Sequence, residues 1–169
     1  EIKKIFKLAK KNSIYKIDTA EAYLNNNIIK NLYKEFKLST KVVPNYKWLS
    51  LEYCQKKLSD HFNFLNLNNV ETLYFHDVKI LFNKNGKKIF ENLEILKNKK
   101  IFQKIGISIY NTNCLNHITS NYNFDVIQCP YNILDKRILN SGWYDKLKNK
   151  GKEIHIRSIF LQGLLVNKL

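Results

Sequence analysis

At 169 residues, 44% hydrophobic and 13% aromatic, the chain can bury one sizeable core and is too short for two. Its formal charge is +15, from 29 basic and 14 acidic residues, but the lysines fall in scattered pairs on helix faces and ends, which describes a solvated surface and argues against a nucleic-acid footprint. No apolar run approaches the roughly 20 residues of a membrane span and no signal arrangement opens the chain, so a cytoplasmic protein is expected.

The predicted elements alternate. A helix spans residues 1–12, with Ile2, Ile5, Leu8 and Ala9 on one face, and a short strand follows from Ile14 to Asp18. A helix around Ile28 to Phe36 leads to a strand from Leu38 to Val43. From Ser50 to Leu65, Leu51, Cys54, Leu58, Phe62 and Leu65 recur at helical spacing behind Ser50 as N-cap. A strand from Val70 to His76 precedes a helix striped by Ile89, Leu93 and Leu96, and Ile101 to Ser108 returns to strand. A helix over Thr112–Ser120, a strand over Phe124–Gln128, a helix over Ile138–Lys150 and a strand over Glu153–Ser158 complete the pattern.

Six strands alternating with six helices predict a parallel sheet covered by helices in a single domain over residues 1–169. Periodicity does not separate a barrel from an open sheet, but no GxGxxG or GxxxxGK[ST] follows the first strand. Cys54, Cys114 and Cys129 form neither a CxxC pair nor a metal-ligand spacing with a histidine, and are expected as reduced, mostly buried thiols. The chain starts on Glu1 and stops at Leu169 just after an apolar glycine-containing stretch, which suggests a partial sequence.

In parallel barrels the chemistry lies where strands end. The polar residues at these ends are Asp18, Lys41, His76, Ser108, Gln128, Arg157 and Ser158, with Tyr23 in the loop after the first strand. Singly each has a plain structural reading: Asp18 as a helix cap, Lys41 as a surface lysine, His76 as a satisfied half-buried histidine, Tyr23 as core. Jointly they would converge on one mouth.

The segment Ile17 to Tyr23, IDTAEAY, resembles the IDTAxxY segment of aldo-keto reductases. Ser39 to Val42 is similar to that family's STK strand, Leu73 to His76 to the strand ending in its active-site histidine, and Lys104 to Tyr110 to its IGVSxY strand. Val126 to Asn132 resembles the QxxYN strand, and Arg157 to Leu165, RSIFLQGLL, the seventh-strand segment of bacterial members. The resemblance implies a (β/α)8 TIM barrel, incomplete here: it lacks the first strand and everything after the seventh. It also implies hydride transfer between NADP or NAD, with NADPH favoured, and an aldehyde, ketone or sugar carbonyl.

Carried over position by position, the resemblance gives a catalytic set of Asp18, Tyr23, Lys41 and His76. Tyr23 would donate a proton to the developing oxyanion, Lys41 would lower the phenol's pKa, Asp18 would hold Lys41, and His76 would orient the carbonyl. Ser108 and Gln128, with Arg157 and Ser158, would contact the cofactor.

The sequence departs from the family pattern at Leu24, where glycine is common, and at Asn27, near a usual glutamate. Tyr110 receives no role. Arg157 stands where an aromatic ring usually stacks on nicotinamide; it could stack, meet an anionic substrate group, or face outward. His155 shares its strand face and is expected to line the interior as a core polar residue. A non-catalytic relative with a cofactor-binding or regulatory role is the alternative, and the complete set of four argues against it.

Overall fold

The computed structural model describes residues 2–23, 36–66 and 70–166. Its frame is one six-stranded, wholly parallel sheet: β1 (Lys16–Asp18), β2 (Lys37–Val42), β3 (Thr72–Phe75), β4 (Lys104–Ser108), β5 (Val126–Pro130) and β6 (Glu153–Arg157). Spatial order equals chain order, so the strand order never reverses as it does in a doubly wound sheet. Among the described residues the α-helices are α1 (Ile2–Lys11), α2 (Leu51–Phe64), α3 (Gly86–Asn98), α4 (Leu115–Asn121), α5 (Arg137–Asn140) and α6 (Trp143–Asn149).

Strand alternation sorts the residues into two faces of opposite character. Val42, Leu73, Phe75, Ile105, Ile107, Ile127 and Cys129 point to one face and share a core with side chains of α2 through α6, such as Leu58, Leu93, Ile118 and Leu147. The register Lys41↔Tyr74↔Gly106↔Val126↔Glu153 runs along the other face, and of these only Val126 is an aliphatic side chain. Among the described residues helices therefore cover one side only, as in a barrel wall, and the six strands form a curled partial (β/α)8 barrel with a polar interior.

Local chemistry explains the helices that seat this wall. Ser50 Oγ accepts from the Tyr53 backbone N–H at 3.2 Å, which caps α2 as its sequence predicts. Ser50→Ala should cost about 1 kcal/mol in a denaturant titration, and no change in midpoint would deny the cap its role. Asn92 of α3 donates to the Trp48 and Leu49 carbonyls at 2.9 and 3.0 Å and ties a 3-10 turn, Tyr46–Leu49, to that helix.

On α2, His61 is buried and its Nε2 shares a 2.9 Å hydrogen bond with Thr40 Oγ1. Burial, more than the neighbouring Lys57, lowers its pKa, with Glu21 opposing, and burial likewise lowers that of His76. Both histidines are held neutral in the fold and protonate more readily once unfolded. Their contribution is complete above the unfolded value of about 6.5 and is lost as pH falls from there through the depressed folded values. The melting temperature should therefore drop between pH 7 and pH 5, and His61→Gln, which still offers Thr40 a partner, should shrink that drop. A flat wild-type profile over this range would contradict the assignment.

Several boundaries differ from the sequence reading. The predicted helix around Ile28 to Phe36 lies mostly outside the described residues. The predicted helix over Ile138–Lys150 is two, α5 and α6, broken at Gly142 with φ 70°. On α1 the expected stripe fails: Ile5 and Leu8 are exposed, and Phe6 does the packing, edge-on to Phe36 at 5.2 Å and against Leu38 and Leu65. Cys54, Cys114 and Cys129 are free; burial pushes the Cys54 and Cys129 thiols up to about 11, which makes them inert at neutral pH.

Candidate active site

The register places Asp18, at the end of β1, beside Ser39 of β2, and Lys41 two residues further along the same interior face. Lys41 is only 3% exposed, and its ammonium is satisfied there by an ion pair with the Asp18 carboxylate and a 3.3 Å bond to the Thr19 carbonyl. The Lys41 Nζ lies 5.6 Å from the centre of the Tyr23 ring and 5.9 Å from that of Tyr74. His76, one residue beyond β3, faces Tyr23 edge-on with ring centres 6.4 Å apart. Asp18, Tyr23, Lys41 and His76, well separated in sequence, thus meet at one mouth.

The electrostatics differ from expectation at Tyr23. Its pKa is raised, not lowered: burial is the main cause, then the Asp18 carboxylate, with Arg157 opposing. Lys41 brings Asp18 with it, so the phenol sits near a neutralised pair and not beside a free cation. Lys41 itself is lowered, chiefly by burial, despite its pairing with Asp18. His76 is lowered by burial first and by Lys41 second, so its imidazole is neutral at pH 7. The mouth therefore holds a protonated phenol, a buried ammonium and a neutral imidazole, which is a set suited to delivering a proton to an oxygen that gains negative charge.

The profile described as "Aldo/keto reductase family" matches residues 1–169. The chain belongs to that family. Solved structures of similar fold include aldo-keto reductase AKR11C1 from Bacillus halodurans in its holo form, with a TM-score of 0.81 and 22% identity over 98% of this chain and 59% of that one. MGS-M4, an aldo-keto reductase from a Medee basin deep-sea metagenome library, gives 0.74 and 17% over 98% and 63%. The aldose reductase from Schistosoma japonicum gives 0.66 and 15% over 96% and 62%. The chain thus spans about three fifths of the length of these structures. A search of curated proteins returned no significant match.

In this aldo/keto reductase chain, Ser108, the last residue of β4, is in register with Gln128, which sits mid-strand because β5 runs on to Pro130, past the predicted end; the Ser108 hydroxyl donates to Gln128 Oε1 across 3.4 Å. Both are buried, and the Gln128 amide NH2 makes no hydrogen bond among the described residues. A polar pair so weakly self-satisfied fits an external amide or carbonyl group. Ser158 does not join them: it is exposed at φ 60°, and its carbonyl is held by Asn132 Nδ2 at 3.1 Å. Arg157 turns to the interior, where its Nη2 donates to the Ile109 carbonyl at 2.9 Å and its guanidinium lies 4.2 Å from the centre of the Tyr110 ring.

A contact across the interior, and one beside it within β6, escape sequence reasoning. The Tyr74 hydroxyl and His155 Nδ1 share a 2.6 Å hydrogen bond spanning from β3 to β6, and His155 Nε2 lies 3.3 Å from Glu153. The arrangement satisfying both has Tyr74 donating and Nε2–H facing Glu153. Below them Glu71 pairs with Lys16 at 3.1 Å and Lys104 pairs with Glu153. Alternation marks His155 as interior, but no pattern in one sequence names its partner. Among the described residues no helix is long and apolar enough to cross a membrane, and no group of three His, Cys, Asp or Glu side chains could hold a metal.

Proposed function

We propose that this chain is the catalytic part of an NAD(P)-dependent oxidoreductase that moves hydride between nicotinamide and an aldehyde, ketone or sugar carbonyl. The observation that carries the reading is the buried Lys41–Asp18 pair beneath Tyr23, with His76 across the same mouth. Family membership supports it, and so does the likeness in fold to the Bacillus halodurans aldo-keto reductase, which was solved in a holo form.

When bound, the nicotinamide would supply the hydride. Ser108 and Gln128 would hold its carboxamide, for which their weak mutual hydrogen bond leaves capacity. Neutral His76 would donate to the carbonyl oxygen of the substrate and fix its orientation. Tyr23, whose raised pKa keeps its proton through neutral pH, would deliver that proton to the same oxygen as charge builds. Lys41 would stabilise the phenolate left behind, and Asp18 would keep the ammonium in place. In the oxidative direction the same groups would act in reverse.

The test is NADPH and NADH consumption on a panel of aldehydes, ketones and sugars, using this chain and the chain extended to the length of the solved structures. Turnover with either cofactor would support the reading. Cofactor binding without turnover on any carbonyl would replace it with the non-catalytic one.

A further inference from the structure

Arg157 is the last residue of β6, half-buried on the polar face of the sheet. Two contacts anchor it: the bond to the Ile109 carbonyl holds one end of the guanidinium, and the Tyr110 ring centre lies 4.2 Å from its central carbon. Neither contact neutralises its charge. Among the described residues no carboxylate lies within ion-pair distance of it. Asp18 is taken by Lys41, and Asp135 by a two-pronged contact with Arg137 at 2.9 and 2.6 Å. A guanidinium carries five N–H donors, and the backbone bond uses one.

The surroundings give this cation access to the reacting mouth. Arg157 borders a cavity of about 420 Å3 that also touches Asp18, Gln128 and His155. Tyr110, stacked beneath it, borders a cleft of about 490 Å3 together with His76, Ser108 and Phe82. The Arg157–Tyr110 stack is therefore part of the wall between two spaces, each of which holds members of the site. Its charge reaches them as well: it opposes the rise at Tyr23 and adds a smaller part to the lowering at Lys41 and His76. A half-buried, anchored cation with free donors and no counter-charge is a ready partner for an anion.

We propose that Arg157, held by Tyr110 and the Ile109 carbonyl, binds a carboxylate or phosphate group of the carbonyl substrate, which makes the substrate an oxo acid or an acidic or phosphorylated sugar. The proposal rests on the oxidoreductase reading for the word substrate; the anion site itself does not. Planar, bidentate recognition by a fixed guanidinium favours such anions over neutral hydroxyl groups.

The experiment uses the chain extended to the length of the solved structures, in wild-type form and as Arg157→Leu and Arg157→Lys. Paired substrates are compared: oxo acids against their methyl esters, and phosphorylated against free sugars. Arg157→Leu should raise KM for the anionic member of a pair by about tenfold or more, the size of one charge-assisted hydrogen bond, and leave the neutral member within about twofold. Arg157→Lys should fall between. The pair that responds tells carboxylate from phosphate.

Calorimetric titration with malonate and with inorganic phosphate, free of any turnover, gives the second readout. Binding lost in Arg157→Leu with no turnover on any carbonyl would keep the anion site and defeat the oxidoreductase reading. Equal losses for charged and neutral members would overturn the proposal. So would a weakening of NADPH binding as large as that for substrate, because Arg157 would then serve the cofactor. If Arg157→Leu fails to fold, an Arg157→Lys variant with unchanged preference for the anionic member of each pair and unchanged malonate affinity decides against it.

Discussion

Replacing Tyr23 with phenylalanine is expected to lower carbonyl turnover by about 10²- to 10⁴-fold, the usual contribution of a positioned proton donor, with cofactor affinity held within about twofold. The substitution keeps the ring that faces His76 and lies over Lys41, and removes only the hydroxyl. Tyr23 is 43% exposed, so folding should be almost untouched. The pH dependence carries the sign. Burial and Asp18 hold the phenol protonated beyond its ordinary value of 10.0, whereas burial brings Lys41 below its ordinary 10.5. As pH rises, loss of the Lys41 charge should therefore begin earlier, and loss of the phenol's proton later, than their ordinary values would give, and both losses weaken reduction. The measurement is initial rate against pH for wild type and variant at saturating cofactor. A variant that keeps wild-type turnover would remove Tyr23 from the chemistry.

The second large effect concerns Gly106. A methyl group there would lie 2.3 and 2.4 Å from Tyr74 Cδ1 and Cε1, and 2.9 Å from Thr72 Cγ2. The Tyr74 ring is fully buried and tethered to His155, so it has no easy route of retreat. Gly106→Ala should cost about 3 kcal/mol, from overpacking plus the strained or lost hydrogen bond. In a domain of this size that lowers Tm by roughly 6–12 °C. Adding Tyr74→Leu, which vacates the space, should make the double variant more stable than the sum of the singles by about 1 kcal/mol or more. Strict additivity would show that the ring and the glycine are not competing for that volume.

Much of the frame can be read from sequence because its signals are local. The stripe of α2, the Ser50 cap and the polar residues closing β1, β4 and β6 depend only on near neighbours in the chain. Strand starts read too early for a related reason: Val70, Phe102 and Phe124 are apolar and fully buried, yet they precede the hydrogen-bonded ladder and plug the chain as it enters each strand. The 3-10 turns at Tyr46–Leu49, Val78–Phe82 and Leu161–Gly163 have no hydrophobic period long enough to register. At the site, alternation can say that Arg157 and His155 face inward but not that they meet Tyr110 and Tyr74, because such pairings span separate strands and loops. The direction of the Tyr23 shift is hidden at that level, because its main cause is burial in the folded mouth, with the Asp18 carboxylate second.

The opposed faces of the sheet place two kinds of demand on adjacent residues of one strand. In β3, Leu73 and Phe75 belong to the packed layer under the helices, whereas Thr72 and Tyr74 belong to the polar hollow. Burial in the packed layer is worth about 1.5–3 kcal/mol per large side chain and sets whether the wall stands. The hollow contributes little of that and sets what the wall can recognise. Variation confined to every second position of these strands could then retune chemistry at almost constant stability, which makes the architecture tolerant of functional drift. The exception is Tyr74, whose ring, wedged over Gly106, belongs to both accounts at once.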